Sequence, residues 1–398
     1  MKILQVCNKV PYPPLDGGRI AMNNLTEGLI EAKCEVSILA MSTPRHPASI
    51  ENLPVEYVKK TSIEIEFVDT SVKIIDAGIN LFTFRSYNMQ RFYSKAFREK
   101  LTRLLKNNTF EVVQLESIYT TPYIQTIRKY SKAKVVLRAH NIEYRIWERL
   151  SRQPGNIFKK WYYRLLSRRL KKYETKRLNR VDAVVTITEE DDREAKKLGC
   201  SKPMLIAPFG IDLKKYYITK KDIELNSIFH LGSMDWQPNE EAIRWFIENV
   251  WPKLHEKHPQ LKFYLAGRNM PEWLSKSTFR TIIIEGEIKN PLDFMSSKNI
   301  MVVPLLSGGG MRVKIIEGMA MGKTIISSTI GAEGIKYKSN QNILIANTPN
   351  EFINAIDQCL SDPTFCKIIG ENSKSLVKQH YNNLQICTDL VNFYKQLS

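Results

Sequence analysis

The chain has 398 residues, 43% of them hydrophobic and 25% charged, the proportions of a globular protein with room for two domains. No apolar run approaches the roughly 18 residues of a membrane span. The six cysteines are scattered with no CxxC pair, which points to a reducing cytosol and argues against a zinc site or disulfide framework. A net charge of +18 calls for an anionic partner.

The first predicted element is a strand, "KILQVC". Its apolar stretch stops at Asn8 and Lys9, too early for a signal peptide. "PYPPLDGGRIAMNNL" follows. Gly17 and Gly18 lack side chains, so a ligand can approach the backbone, and a helix expected to start near Arg19 offers N–H groups to an anion. The spacing is not GxGxxG, which speaks against a dinucleotide site, and a plain strand–helix turn is an equal alternative. "CEVSILA", "FEVVQLE", "AKVVLRAH" and "VDAVVTIT" read as further buried strands. Glu116 ends one of them, where it either touches a polar substrate or caps the next helix. His140 ends another. A lone histidine is commonly structural, but a position beyond a strand's carboxyl end favours function. "NIFKKWYYRLLSRRLKKYETKR" then sets Ile157, Phe158, Trp161, Tyr162, Leu165 and Leu166 at helical spacing beside a basic face, with Glu174 as the lone acid of 151–180. That apolar face either meets a membrane or packs on the domain core.

"APFGIDLKKYY" at 207–217 reads as the passage to a second half. There "NSIFHLG", "LKFYLAG", "RTIIIEG", "IMVVPLL" and "KTIISS" are strands, and 239–256 and 349–360 are amphipathic. Strands alternating with helices throughout predict two doubly wound α/β domains whose post-strand loops face a cleft. "SGGGMRVKIIEGMAMGKTIIS" ends like a nucleotide P-loop, but the first glycine of GxxxxGK[ST] falls on Glu317, and the order is helix then strand. Gly322 reads as a helix C-cap and Lys323 as a solvated turn residue. The anion-binding end is the other one. Gly308–Gly310 let a phosphate near the backbone, and a helix starting near Met311 or Arg312 points positive charge at it. Arg312 and Lys314 oppose the helix dipole unless an anion lies among them. Glu317, further in, suits the two hydroxyls of a ribose. An exposed helix with a Lys314–Glu317 pair is the competing possibility.

The charge is uneven. Residues 1–200 hold 36 Lys and Arg against 22 Asp and Glu, and 81–180 alone hold 25 against 6. That block should meet a membrane surface, a polyanionic acceptor or nucleic acid.

The ordered set "PYPPLDGG", "FEVVQLE", "AHNIEY", "VDAVVTITEEDD", "PFGIDLKKY", "LGSMDWQPNEEAIRWF", "AGRNMP" and "GGGMRVKIIEGMAMGKTIISSTIGAEGI" resembles the retaining glycosyltransferases of family 4, with the GT-B fold, in particular bacterial enzymes of surface-polysaccharide synthesis. The resemblance implies an acceptor-side domain over 1–210, a nucleotide-sugar-binding domain over 211–379, and a chain end, 380–398, that crosses back onto the first. It implies a nucleoside-diphosphate sugar as donor and a glycan or lipid-linked acceptor. Glu317 would hold the ribose, Arg312 and Lys314 would face the diphosphate, and Gly309 and Gly310 would touch phosphate or sugar. His140 would lie beside the transferring sugar, and Gly17 and Gly18 would close on the diphosphate. Catalysis would then rest on His140, Arg312 and Lys314. No DxD triplet occurs, so neither a metal nor another cofactor is expected. Nucleic acid is not expected as a partner. A cytoplasmic enzyme peripheral to an anionic inner-membrane face is.

Two departures stand out. The family's usual pair of glutamates would place the first at Gly309, so the donor sugar does not carry over. The Arg and Lys common after the second domain's first strand are missing from "LGSMDWQPNEEA", which throws more weight on Arg312 and Lys314. A sugar-nucleotide epimerase of the same fold, or a non-catalytic polyanion- or nucleic-acid-binding protein, stays open at this point.

Overall fold

Lys2–Cys7 (β1) is buried at every position but its first, and such a run belongs in the middle of a parallel sheet covered on both faces. The computed structural model describes residues 1–71, 86–152, 156–216, 223–275 and 279–397. Residues 81–85 and 153–155 of the basic block, and Tyr217 of the passage, lie outside them. The chain divides into two units, Met1–Gly210 with Asn383–Ser398, and Ile211–Asn382.

In the first unit the strands continue with Glu35–Ser42 (β2), Glu64–Phe67 (β3), Val112–Glu116 (β4), Lys134–Ala139 (β5), Ala183–Thr186 (β6) and Met204–Ile206 (β7). Among the described residues they form a seven-stranded sheet in the order β3-β2-β1-β4-β5-β6-β7, every pair parallel. Strand alternation sorts the apolar side chains between two faces. Leu4, Val6, Val113 and Leu137 join Phe97, Leu101 and Leu170 on one side. Ile3, Cys7, Val112 and Val136 join Met22, Leu25 and Leu390 on the other.

Leu390 belongs to the last helix, Asn383–Gln396, which packs on the first helix, Gly17–Glu31. A Cβ at Gly28 would lie 2.4 Å from Cys387 Sγ and 2.5 Å from Asn383 Nδ2, so only glycine allows this approach.

The second unit holds Glu224–Leu231 (β8), Lys262–Ala266 (β9), Ile282–Gly286 (β10), Lys298–Val303 (β11), Thr324–Ser327 (β12) and Leu344–Ile345 (β13). Its order among the described residues is β10-β9-β8-β11-β12-β13, again parallel. In both units the order reverses beside the first strand, where open α/β sheets put their ligands. The amphipathic stretch 239–256 is two helices, Gln237–Asn249 and Trp251–Lys257. Pro252 cannot donate the hydrogen bond that would join them.

The end of the helix Val313–Ala320 corrects one sequence expectation. Gly322, at φ 71°, follows the cap, and the Lys323 N–H bonds the Gly318 carbonyl. Lys323 itself is not solvated. It is 5% exposed, and its ammonium donates to the Ser296 and Lys298 carbonyls at 2.9 and 2.5 Å. The end of the helix Pro291–Ser296 thus receives a buried cation, as a helix C-terminus favours. Burial lowers its pKa to about 8.

Candidate functional site

Each unit has its own cluster of polar side chains beyond the carboxyl ends of its central strands. In the second unit the loop after β11 runs through Ser307 to Met311. Gly308 and Gly310 adopt φ 106° and 86°, the left-handed region that glycine enters without strain. A Cβ on Gly308 would lie 2.9 Å from the Trp236 ring. Arg312 is the N-cap residue of the helix Val313–Ala320, and no side chain accepts from the N–H groups of its first turn.

Arg312 is 7% exposed, with its guanidinium 4.9 Å over the Trp236 ring. Its Nη1 donates to the Gly309 carbonyl at 2.6 Å and also to the Gly310 carbonyl. The expected phosphate cation therefore also pins the glycine loop. Gly309, where the family commonly has a glutamate, offers Arg312 a carbonyl instead.

Lys314 reaches the carboxyl end of β8. Its ammonium lies 3.2 Å from both His230 Nε2 and Asn239 Oδ1. His230 is fully buried and bonds the Val302 carbonyl through Nδ1 at 2.9 Å. Burial, then Lys314, pushes its pKa far down, so it is neutral. Nδ1 carries the proton, and Nε2 accepts from Lys314. With two neutral partners and Arg312 nearby, Lys314 is itself destabilised as a cation. Burial, then Arg312, lowers its pKa to about 7. Glu317 does not pair with it. Its Oε1 accepts from the Tyr216 hydroxyl at 2.9 Å, and burial pushes its carboxyl up.

In the first unit the helix starts at Gly17, earlier than expected, and its N–H groups are already used. Asp16 Oδ1 accepts from Gly18 N at 3.0 Å and Arg19 N at 3.1 Å. The free N–H groups expected there for an anion are capped by a carboxylate. The positive charge comes from side chains instead. Lys9 Nζ lies 2.6 Å from Asp16 Oδ1, and Arg19 Nε 3.4 Å from Oδ2. A Cβ on Gly18 would lie 2.8 Å from Lys9 Nζ, so glycine leaves room for that ion pair. Burial, aided by Lys9, lowers the nearby His46 to about 4.

Glu116 neither caps the next helix nor faces solvent. It is fully buried, 2.5 Å from His140 Nε2 and 3.3 Å from Arg138 Nη1. Burial pushes its carboxyl up, but Arg138 and His140 outweigh that and hold it below its ordinary range.

The sequence singled out none of Lys9, Tyr216, His230, Trp236 or Asn239. His230 lies at the carboxyl end of β8 as His140 lies just past that of β5, so the same positional rule would have found it.

The long basic helix, Ile157–Leu178, splits its apolar face. Leu166, Leu170 and Leu178 are buried, while Ile157, Phe158 and Trp161 are 79, 82 and 60% exposed. Glu174 accepts from the backbone N–H groups of Glu143 and Tyr144, both at 2.9 Å, capping the helix Glu143–Arg152. Among the described residues, no helix is long and apolar enough to cross a membrane.

Residues 15–215 match the family described as "Glycosyltransferase Family 4", and residues 226–362 the one described as "Glycosyl transferases group 1". A Klebsiella pneumoniae relative, described as an uncharacterized 44.6 kDa protein in the cps region, is 22% identical over 98% of both chains. Sucrose-phosphate synthase from Thermosynechococcus elongatus has a similar structure (TM-score 0.71, 15% identity, 100% of this chain and 99% of that one). So does Anabaena HepE in complex with UDP (TM-score 0.71, 12% identity, 100% of both chains). HepE also has a structure with UDP-glucose (TM-score 0.68, 10% identity). At such identities these likenesses speak for the fold.

Proposed function

The chain belongs to glycosyltransferase family 4 and has the GT-B fold, and we propose that it transfers a sugar from a nucleoside-diphosphate donor to a glycan or lipid-linked acceptor, with retention of configuration and without a metal. The observation that carries the donor class is Lys314. It is a half-buried cation beside a second cation, at a helix start that no side chain caps, and among the described residues its hydrogen-bond partners are neutral. A diphosphate satisfies all of these together. The UDP and UDP-glucose complexes of HepE support the same class.

As the bond from anomeric carbon to diphosphate breaks, negative charge grows on the phosphate oxygens. Lys314, Arg312 and the N–H groups of the first helical turn stabilise it. Gly309 and Gly310 let the phosphate approach, and Glu317 takes the ribose hydroxyls. Gly17 and Gly18 belong with the diphosphate and His140 with the reacting sugar. A place in bacterial surface-polysaccharide synthesis fits the relative from a cps region.

The test is incubation with a panel of UDP-, GDP- and ADP-sugars, with and without lipid-linked acceptors. Transfer requires nucleoside diphosphate released on adding acceptor, with no loss on chelation of metals. An isomerised sugar instead points to an epimerase. Arg312→Ala and Glu317→Ala should each weaken donor affinity about tenfold to a hundredfold, the weight of a hydrogen bond to a charged group. Calorimetry with the diphosphate alone should register Arg312→Ala. An unchanged affinity there puts the phosphates elsewhere. His140→Ala should lower turnover more than donor affinity, because a group beside the reacting sugar acts mainly in the transition state. An unchanged rate in the folded variant returns His140 to a structural role.

The same proposal puts the first unit on an anionic bilayer at the cytoplasmic face. Exposed Ile157, Phe158 and Trp161 enter the interface, while Lys159, Lys160, Arg168 and Arg169 face the headgroups. Each cation contributes about 1 kcal/mol near an anionic surface. Sedimentation should show binding to anionic vesicles that weakens with salt and drops when these four are changed to glutamine. Equal binding to neutral vesicles, or none at all, leaves a soluble acceptor as the reason for the charge.

A further inference from the structure

The carboxylate of Glu116 sits among three N–H donors and one ring nitrogen. Its Oε2 takes His140 Nε2 at 2.5 Å and Arg138 Nη1 at 3.3 Å. Its Oε1 takes Gln5 Nε2 at 3.4 Å and a short hydrogen bond from Gln114 Nε2. Each amide is in turn oriented by a hydroxyl on a helix of the other layer. Thr26, on Gly17–Glu31, donates to Gln5 Oε1 at 2.7 Å. Tyr394, on Asn383–Gln396, donates to Gln114 Oε1 across 280 residues of sequence. Gln5, Thr26, Gln114, Glu116, Arg138 and Tyr394 are each no more than 1% exposed. Among them His140 alone reaches towards solvent, its side chain 14% exposed.

We propose that Glu116 is the positioning residue of His140, holding its imidazole as the Nε2–H tautomer with Nδ1 turned into an acceptor for a substrate hydroxyl, and that Tyr394 locks Glu116 through Gln114. This rests on the reading of His140 as the residue beside the reacting sugar. The ion pair carries the tautomer. Arg138 Nη1, 3.3 Å from Oε2 and as buried as Glu116 itself, holds the carboxyl ionised, and an ionised carboxylate only accepts. His140 Nε2 must then supply the proton, whatever the charge of the ring. An amide side chain at this position would set its NH2 against one of the neighbouring N–H groups. The network also gives the last helix a part in the active centre, since its buried phenol fixes the Gln114 amide.

Two variants and one spectroscopic readout test this. The full chain is labelled at its six histidines, and His140 is assigned by its loss in His140→Gln. Long-range proton–nitrogen spectra should show Nε2 protonated and Nδ1 bare in the wild type. Glu116→Gln puts an NH2 among these N–H groups, so His140 should shift measurably towards the Nδ1–H form, with turnover about tenfold to a hundredfold lower at similar donor KM. Tyr394→Phe removes one neutral hydrogen bond. It should lower turnover about threefold to tenfold while the midpoint of unfolding moves little. It also stands in if Glu116→Gln, which strands Arg138, does not fold. Nδ1–H in the wild type overturns the proposal, as does an unshifted tautomer in both variants. A wild type that releases no nucleoside diphosphate from any of the nucleotide sugars refutes the donor assignment instead, and the tautomer still decides the role of Glu116.

Discussion

Raising the pH from about 7 to about 9 should weaken diphosphate binding about tenfold to fiftyfold, and Lys314→Arg should abolish most of that dependence. Free Lys314 titrates near 7, because burial and then Arg312 disfavour its charge. A diphosphate favours the charged form and so raises the pKa of the bound state. Above 7 each unit of pH leaves about a tenth as much protonated free protein. Protonating Lys314 must then precede binding, until the contact energy is exhausted. The terminal phosphate has its second pKa near 6, so it is already ionised across this window. At pH 7 binding should take up about half a proton. Calorimetry in buffers of different ionisation enthalpy reads that uptake. Stability of the free protein runs the other way. Between about 7 and the ordinary lysine value of 10.5, the unfolded chain holds a proton that folded Lys314 has lost, so its contribution to stability grows with pH. Lys323, lowered to about 8, has the same sign but offers its ammonium to two buried carbonyls. Lys314→Arg separates the two, and also separates Lys314 from Glu317. A flat affinity in the wild type would mean that Lys314 does not touch the diphosphate.

Sequence alone revealed the central strands because both faces of a parallel sheet are covered, which makes each one a nearly continuous apolar run. β3, β7 and β13 escaped for the converse reason. They are short and lie at or next to the sheet edges, and the Glu64–Phe67 sequence is half acidic. The glycine loop and its cations were legible because phosphate sites are local, a strand, a loop and a helix start. Asp16 was legible too. An acid just before Gly17 is an N-cap signal, and reading it would have withdrawn the free N–H groups expected there. The partners of Glu116 were not legible. They come from β1, β4 and β5, and Tyr394 enters through Gln114 from the other end of the chain. Lys323 misled for a similar reason. A lysine after a helix-ending glycine is ordinarily solvated, and only the carbonyls of Ser296 and Lys298, brought in by the fold, make it buried.

The same long-range closeness underlies the largest stability effect expected. Gly267→Ala should cost about 3 kcal/mol or more and impair diphosphate binding together with stability. Gly267 follows β9 at φ 147°, where a side chain is strained. A Cβ there would lie 1.9 Å from the Gly232 carbonyl oxygen, 2.5 Å from its carbon and 3.2 Å from Ser233 N. All three are backbone atoms, so no rotamer change relieves the clash. The two loops are also tied to their surroundings. Gly232 N bonds the Ala266 carbonyl at 2.9 Å, Gly267 N the Gly286 carbonyl at 2.7 Å, and Met234 N the Arg268 carbonyl at 2.9 Å. Moving Gly232 aside drags Ser233, whose carbonyl holds the Asn239 amide at 2.8 Å, and Asn239 is one of the two partners of Lys314. The strain therefore runs into the donor site. Gly286→Ala is the control. It also has a positive φ, 66°, but a Cβ there meets nothing within 4 Å, so it should cost only the 1–2 kcal/mol or so of a left-handed residue and leave binding intact. Denaturant midpoints and diphosphate affinities of the two variants decide the matter. Equal, small losses would mean that the loops after β8 and β9 separate freely, and that their contact does not hold Lys314 in place.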